Sequence, residues 1–191
     1  MKKLLVLLFI GVLLSGCSAD RNDASSSPKS DLSNNSIEKK VEVKAVYLVA
    51  EKGGSLSETE LKLHPEVVTV HTQKDLENAA GKKVAIWIDK DSVDVADKGW
   101  LRSEPQRHYP VAIVGYNNAL YSFRDRSGIA IMRGPHVDWS KVKLEPGFSV
   151  YMVREETSNS RSLFLKGYDK VPTVQEIIDI TNQLLEGKFP S

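Results

Sequence analysis

The sequence predicts an α/β fold, a three-layer sandwich on a mainly parallel central sheet with a C-terminal antiparallel hairpin and a closing helix. Three observations predict it. Short β-branched runs that are apolar on both faces recur through the middle of the chain, and such runs suit strands covered by helices on either side. Helix signals fall between those runs, the order expected of βαβ units. The last third changes to alternating strands and then a capped amphipathic segment.

The first strand is read at Val41 to Val49, where Val41, Val43 and Ala45 alternate with Glu42 and Lys44 before a continuous apolar stretch. That is the pattern of a strand entering a buried sheet. Val84-Ala85-Ile86-Trp87-Ile88 and Val111-Ala112-Ile113-Val114 read as central strands, with Trp87 in the core, and Val67 to Val70 is a fourth candidate. Thr72 caps a helix through Ala80, with Asp75 at its third position and Gly81 as its stop. A second helix is expected from Ser92 to Leu101, ended by Pro105, and a third from Ala119 to Arg126, ended by Gly128. Phe148 to Arg154 and Ser162 to Lys166 alternate apolar with polar residues across Thr157-Ser158-Asn159-Ser160, which reads as a hairpin at the sheet edge. In the closing helix Thr173 and Glu176 form a capping box, and Gly187 is the stop. Its Val174, Ile177, Ile178, Thr181, Leu184 and Leu185 share a face that is read as packing on the sheet, with a partner or membrane surface as the other occupant.

Ahead of this region, Lys2 and Lys3 precede an apolar run from Leu4 to Leu14, which gives way to Ser15, Gly16 and Cys17. A positive start, an apolar stretch of roughly 7–15 residues and a small-residue exit describe an export signal, whereas a membrane-spanning helix needs about 20. Leu14-Ser15-Gly16-Cys17 resembles the lipobox of bacterial lipoproteins, a family defined by processing and not by fold, and the resemblance covers residues 1–17. It implies cleavage before Cys17, a diacylglyceryl thioether on the sulfur and a freed amine open to acylation. Each buried methylene contributes about 0.8 kcal/mol, so two acyl chains anchor a protein where one holds it marginally. Residues 1–16 are then a signal peptide, 17–37 a lipidated cysteine and tether, and 38–191 one α/β domain. The expected address is the outer face of the cell membrane.

Ser18 to Ser36 is dominated by Ser, Asn, Asp and Lys, with Leu32 its one large apolar residue. Too little apolar surface is present to offset ordering entropy, so the segment reads as a flexible spacer with a reach of roughly 20–25 Å. Cys17 is the chain's single cysteine. Once lipidated it leaves no thiol for a disulfide, a cysteine nucleophile or a cysteine-based zinc site. The chain holds 26 Lys and Arg against 25 Asp and Glu, and loss of Lys2 and Lys3 tips that balance to a slight acidic excess. No basic cluster with interleaved aromatics is present, so nucleic acid is not an expected partner.

Sequence motifs for phosphate loops, dinucleotide binding, the serine elbow and helical zinc sites are all missing. Ser26-Ser27-Pro28-Lys29 matches S-x-x-K in form but lies in the spacer, where nothing positions the serine. The one dense carboxylate cluster runs from Asp89 to Asp97. As a calcium loop it has Val93 where an oxygen ligand belongs, Asp94 where glycine belongs and Trp100 where glutamate belongs. Helix capping by Asp89 or Asp91 explains the cluster instead, with Asp94 and Asp97 solvated or facing a helix start. No metal site and no cofactor is expected.

Ligands of open parallel sheets bind beyond the carboxyl ends of the strands. Here those ends carry Glu51, Lys52, Gly53, Gly54 and Ser55, then His71 and Thr72, then Asp89, Lys90 and Asp91, then Asn117 and Asn118. Glu51, His71, Asp89, Asp91 and Asn117 are therefore the candidate ligand-binding or catalytic residues, although capping and turn geometry demand similar residue types. His64, His108 and His136 match no zinc spacing and read as surface residues, and Gly134 to Trp139 is a distinctive loop with no mechanism attached. Two functional classes remain open. The first is a membrane-anchored, non-catalytic module that binds an envelope protein or small ligand. The alternative is an envelope hydrolase working through His71, Asp89 and Asp91, in which His71 lies within reach of Asp89 or Glu51.

Overall fold

The computed structural model describes residues 42, 44–81, 83–103, 109–157 and 160–188. The leader, Cys17, the tether, Pro105 and His108 lie outside the described residues. The chain divides into Met1–Glu38 and Lys39–Ser191, and every element below belongs to the second part.

One six-stranded mixed sheet organises it. The strands are β1 (Ala45–Leu48), β2 (Val67–Val70), β3 (Ala85–Asp89), β4 (Val111–Val114), β5 (Phe148–Thr157) and β6 (Ser160–Tyr168), in the order β2-β1-β3-β4-β5-β6. The first four are parallel, with Tyr47 opposite Thr69 on one side and Trp87 on the other. β5 runs antiparallel to β4, and β6 to β5. The sheet is thus parallel at its centre with a C-terminal hairpin, as the runs of β-branched residues and the late alternation require. The described strand β1 is shorter than the expected Val41–Val49, whereas the hairpin strands run longer than their alternating cores.

Helices cover both faces. α1 (Glu58–Leu61) and α4 (Val174–Leu185) lie on one, packing Leu56, Val174, Ile177, Ile178 and Leu184 against Tyr47, Trp87, Phe148 and Val150. α2 (Gln73–Ala79) and α3 (Lys98–Leu101) lie on the other, where Leu76, Leu101, Phe123 and Ile129 meet Val46, Ile86, Ile88 and Ile113. Strand periodicity of two explains the division, since Tyr47 and Val49 face one layer while Val46 and Leu48 face the other. The apolar stripe of α4 is buried on the sheet, except that Leu185 is only half-buried. The Thr173–Glu176 capping box is formed in full.

Three helical segments differ from expectation. α1 carries a single inward apolar residue, Leu61, so four residues offered no periodicity to read. The helix expected from Ser92 to Leu101 is two pieces, a 3₁₀ turn at Lys90–Ser92 and then α3. Two aspartates split it: Asp89 accepts from the Asp91 amide, and Asp97 accepts from the Trp100 amide while its own amide donates to Gln73. A short side-chain acceptor offers the backbone a local partner and so restarts a helix in mid-run. The third segment, Tyr121–Arg126, is a turn of π-helix in which the Ser127 amide reaches the Ser122 carbonyl. Gly128 follows at φ +66°, a conformation glycine adopts without strain.

Candidate functional site

In this strand order the chain reverses direction across the sheet between β1 and β3. The β1–β2 connection carries α1 on one face and the β2–β3 connection carries α2 on the other. Such a reversal opens a crevice at the carboxyl ends of the two strands. Here Asp89 fills it. The residue is 1% exposed, and one carboxyl oxygen accepts from the Tyr47 hydroxyl at 2.8 Å and from the Ser55 amide at 2.6 Å. Its other oxygen accepts from the Asp91 amide at 3.1 Å. Asp89 thereby fastens the loop after β1 to the end of β3. Burial, reinforced by the charge and hydrogen bond of Asp89, pushes the Tyr47 hydroxyl pKa far above its ordinary value.

Gly54 lets the loop close this tightly. A Cβ there would lie 2.6 Å from Asp89 Oδ2 and 2.8 Å from Tyr47 Oη, well inside van der Waals contact. The preceding turn places Gly53 at φ +92° and bonds its amide to the Ala50 carbonyl, so the glycine pair serves two separate needs.

With the crevice closed, the open space lies toward β2. A pocket of about 300 Å³ sits between the loop after β1, α1 and the end of β2. Its floor is Tyr47, Val49, Ala50, Leu56 and Leu61, and its rim carries Glu51, Glu58, Lys62, Thr69 and His71. His71 Nδ1 donates to the Val49 carbonyl at 2.8 Å. A carbonyl only accepts, so Nδ1 carries a proton, and in the neutral ring the acceptor is Nε2.

The structure thus brings Glu51 and His71 to one pocket and separates the other candidates from it. Asp89 is walled off behind Gly54 and Tyr47. Asp91 lines an adjoining, more open depression that shares Gly53, Gly54, Leu56 and Glu58 with the pocket and adds Lys52, Ser55 and Lys90, and its ion pair with Lys90 at 2.8 Å holds its carboxyl below the usual range. Asn117 lies over the hairpin: its backbone and Cβ fill the space that side chains at Gly147 and Gly167 would need. Asn118 caps the π turn through the Tyr121 amide. His71 Nδ1 is held by the Val49 carbonyl, Asp89 bonds Tyr47, Ser55 and Asp91, and no direct hydrogen bond joins His71 to Asp89 or Glu51.

Tyr47, Glu58, Lys62 and Thr69 escaped the sequence reading, which placed Gly54 at a strand end without assigning it a role. The Gly53-Gly54 pair in the loop after the first strand was the available signal for close approach, and Glu58, Leu61 and Lys62 follow the i, i+3, i+4 spacing of one helical face.

The remaining sequence features are structural. Asp94 pairs bidentately with Arg126. In the Gly134–Trp139 loop, Trp139 Nε1 donates to Asp125 at 2.7 Å and Arg124 donates to the Pro135 carbonyl, so the loop is tied to the π turn. His64 faces Glu66 at 3.2 Å, and His136 is exposed. A second groove, of about 250 Å³, lies on the opposite face of the sheet against the hairpin, lined by Ile131, Met132, Tyr151, Val153 and Leu163 among others. Among the described residues no three His, Cys, Asp or Glu side chains are grouped to hold a metal ion, and no helix is long and apolar enough to cross a membrane. No protein-family model, curated protein or solved structure matches this chain.

Proposed function

We propose that this protein is a lipid-anchored, non-catalytic binding module on the outer face of the membrane, tethered through Cys17, that takes a small envelope ligand into the β1–β2 pocket. The pocket itself is the observation that carries this reading: an apolar floor with a few polar groups converging at its mouth is the usual form of a small-ligand site. The lipobox-like Leu14-Ser15-Gly16-Cys17 supports the address. The firm bonding of Asp89 and of His71 Nδ1 supports a positioning role for both.

Two measurements test it. Mass spectrometry of the processed N-terminus is expected to find an acylated Cys17, and a free thiol there overturns the anchor. In an NMR fragment screen, hits are expected to shift Glu51, Leu61, Thr69 and His71. Hits confined to the hairpin groove, or no hits, overturn the pocket as the binding site.

A further inference from the structure

We infer that the β1–β2 pocket selects organic cations, small ligands with an apolar body and a protonated amine. The inference rests on the pocket being a ligand site and adds what that site prefers. Its floor of Val49, Ala50, Leu56 and Leu61, with the Tyr47 ring, calls for an apolar body. Three of the rim's groups are acceptors. The Glu51 and Glu58 carboxylates have no ion-pair or hydrogen-bond partner among the described residues, and the Glu58 carboxylate reaches back to within 3.6 Å of where a Cβ on Gly53 would stand. The third is His71, whose neutral ring offers Nε2 as the acceptor because Nδ1 donates to the Val49 carbonyl. Lys62 is the single cation of the rim.

The buried carboxyl of Asp89 stands directly behind Gly54, 2.6 Å from where a Cβ on that glycine would lie, and adds a further acidic group on that side of the pocket. An ammonium group can donate three hydrogen bonds and carries the complementary charge, so the two carboxylates and the imidazole together suit it. A carboxylate ligand would find one lysine and two repelling glutamates.

Benzylamine, benzyl alcohol and benzoate share one body and differ in the head group, so titrating the full chain with each while following amide shifts separates the two claims. Benzylamine is expected to bind about tenfold more tightly than benzyl alcohol, the scale of one charge-assisted hydrogen bond, with benzoate weakest. The preference is expected to shrink as salt is raised. A Glu51→Gln, Glu58→Gln double variant should bring amine and alcohol to equal affinity without weakening the alcohol. Thr69 is exposed on the edge strand β2, so Thr69→Phe fills the pocket without entering the core and should abolish all three titrations with the amide spectrum of the fold retained. Equal or tighter binding of alcohol or benzoate, itself abolished by Thr69→Phe, overturns the cation preference and leaves the pocket intact as a site. Failure of all three probes to shift the pocket, or binding unaffected by Thr69→Phe, overturns the pocket itself.

Discussion

The carboxyl-end edge of the parallel strands and the C-terminal hairpin treat their surfaces in opposite ways. At the edge, a buried polar group is fully engaged: Asp89 holds Tyr47, Ser55 and Asp91 together, and the remaining opening is lined by a defined mixture of apolar and charged groups. At the hairpin, α4 covers one face through Phe148, Val150 and Met152, but the other face is only partly roofed, leaving Leu163 47% and Ile131 84% exposed. Local order at the edge therefore depends on a few hydrogen bonds with no tolerance in position, whereas order at the hairpin comes from a long ladder that tolerates changes on its open face.

Substitutions should expose that contrast. Asp89→Ala removes the acceptor for three donors, the buried Tyr47 hydroxyl and the part-buried Ser55 and Asp91 amides; a buried donor left unsatisfied costs about 1–3 kcal/mol, so a loss of about 3 kcal/mol is expected in urea denaturation. A loss below about 1 kcal/mol would mean that the loop does not depend on the carboxyl. Gly54→Ala puts a methyl against Asp89, Tyr47 and Val49, and overpacking of this kind costs about 1–3 kcal/mol. It should also distort the neighbouring pocket, visible as shifts at Glu51 and His71.

Alkaline pH tests the same edge. The folded-state pKa of Tyr47 is raised above the ordinary 10.0, so the unfolded chain releases this proton first as pH rises. The contribution is fully present below pH 10, and stability should fall above it by about 1.4 kcal/mol per pH unit for this one group. Tyr47→Phe should remove that share of the slope. The smaller alkaline response of the variant would come from Tyr121 and Tyr168, whose hydroxyls burial also raises, and from Lys90, Lys143 and Lys188, which their acidic partners raise. An unchanged slope would place the Tyr47 hydroxyl in water. The smallest effect is expected at the hairpin, where Leu163→Ser should change stability by less than about 0.5 kcal/mol. A larger loss would show that the open face is covered in solution.

Much of the architecture was legible because it rests on local patterns. Val84–Ile88 and Val111–Val114 read as buried strands because they are short, β-branched and apolar on both faces, and Thr173 with Glu176 marks a helix start by side-chain chemistry alone. Where two local signals competed, the reading failed. Asp89 and Asp97 are both good caps, and nothing local shows that both are used and that the expected helix from Ser92 is broken between them. The site was legible only in part for a different reason: the rule that ligands gather at strand ends places Glu51, His71, Asp89, Asp91 and Asn117 on one edge but says nothing about which of them the fold consumes.

By itself the sequence determined the strand set, the change from parallel to antiparallel segments and the lipobox-like start, because each is written in neighbouring residues through periodicity, capping and spacing. The tertiary structure alone decided that Asp89 is a buried fastener, that Asn117 packs over the hairpin and that Glu51 and His71 share a pocket with Glu58 and Lys62. Those outcomes follow from the strand order β2-β1-β3-β4, which brings Tyr47, Ser55 and Asp89 together across 34 to 42 residues of chain. No local pattern encodes such a contact, since its free energy appears only when distant segments meet and water is excluded from between them.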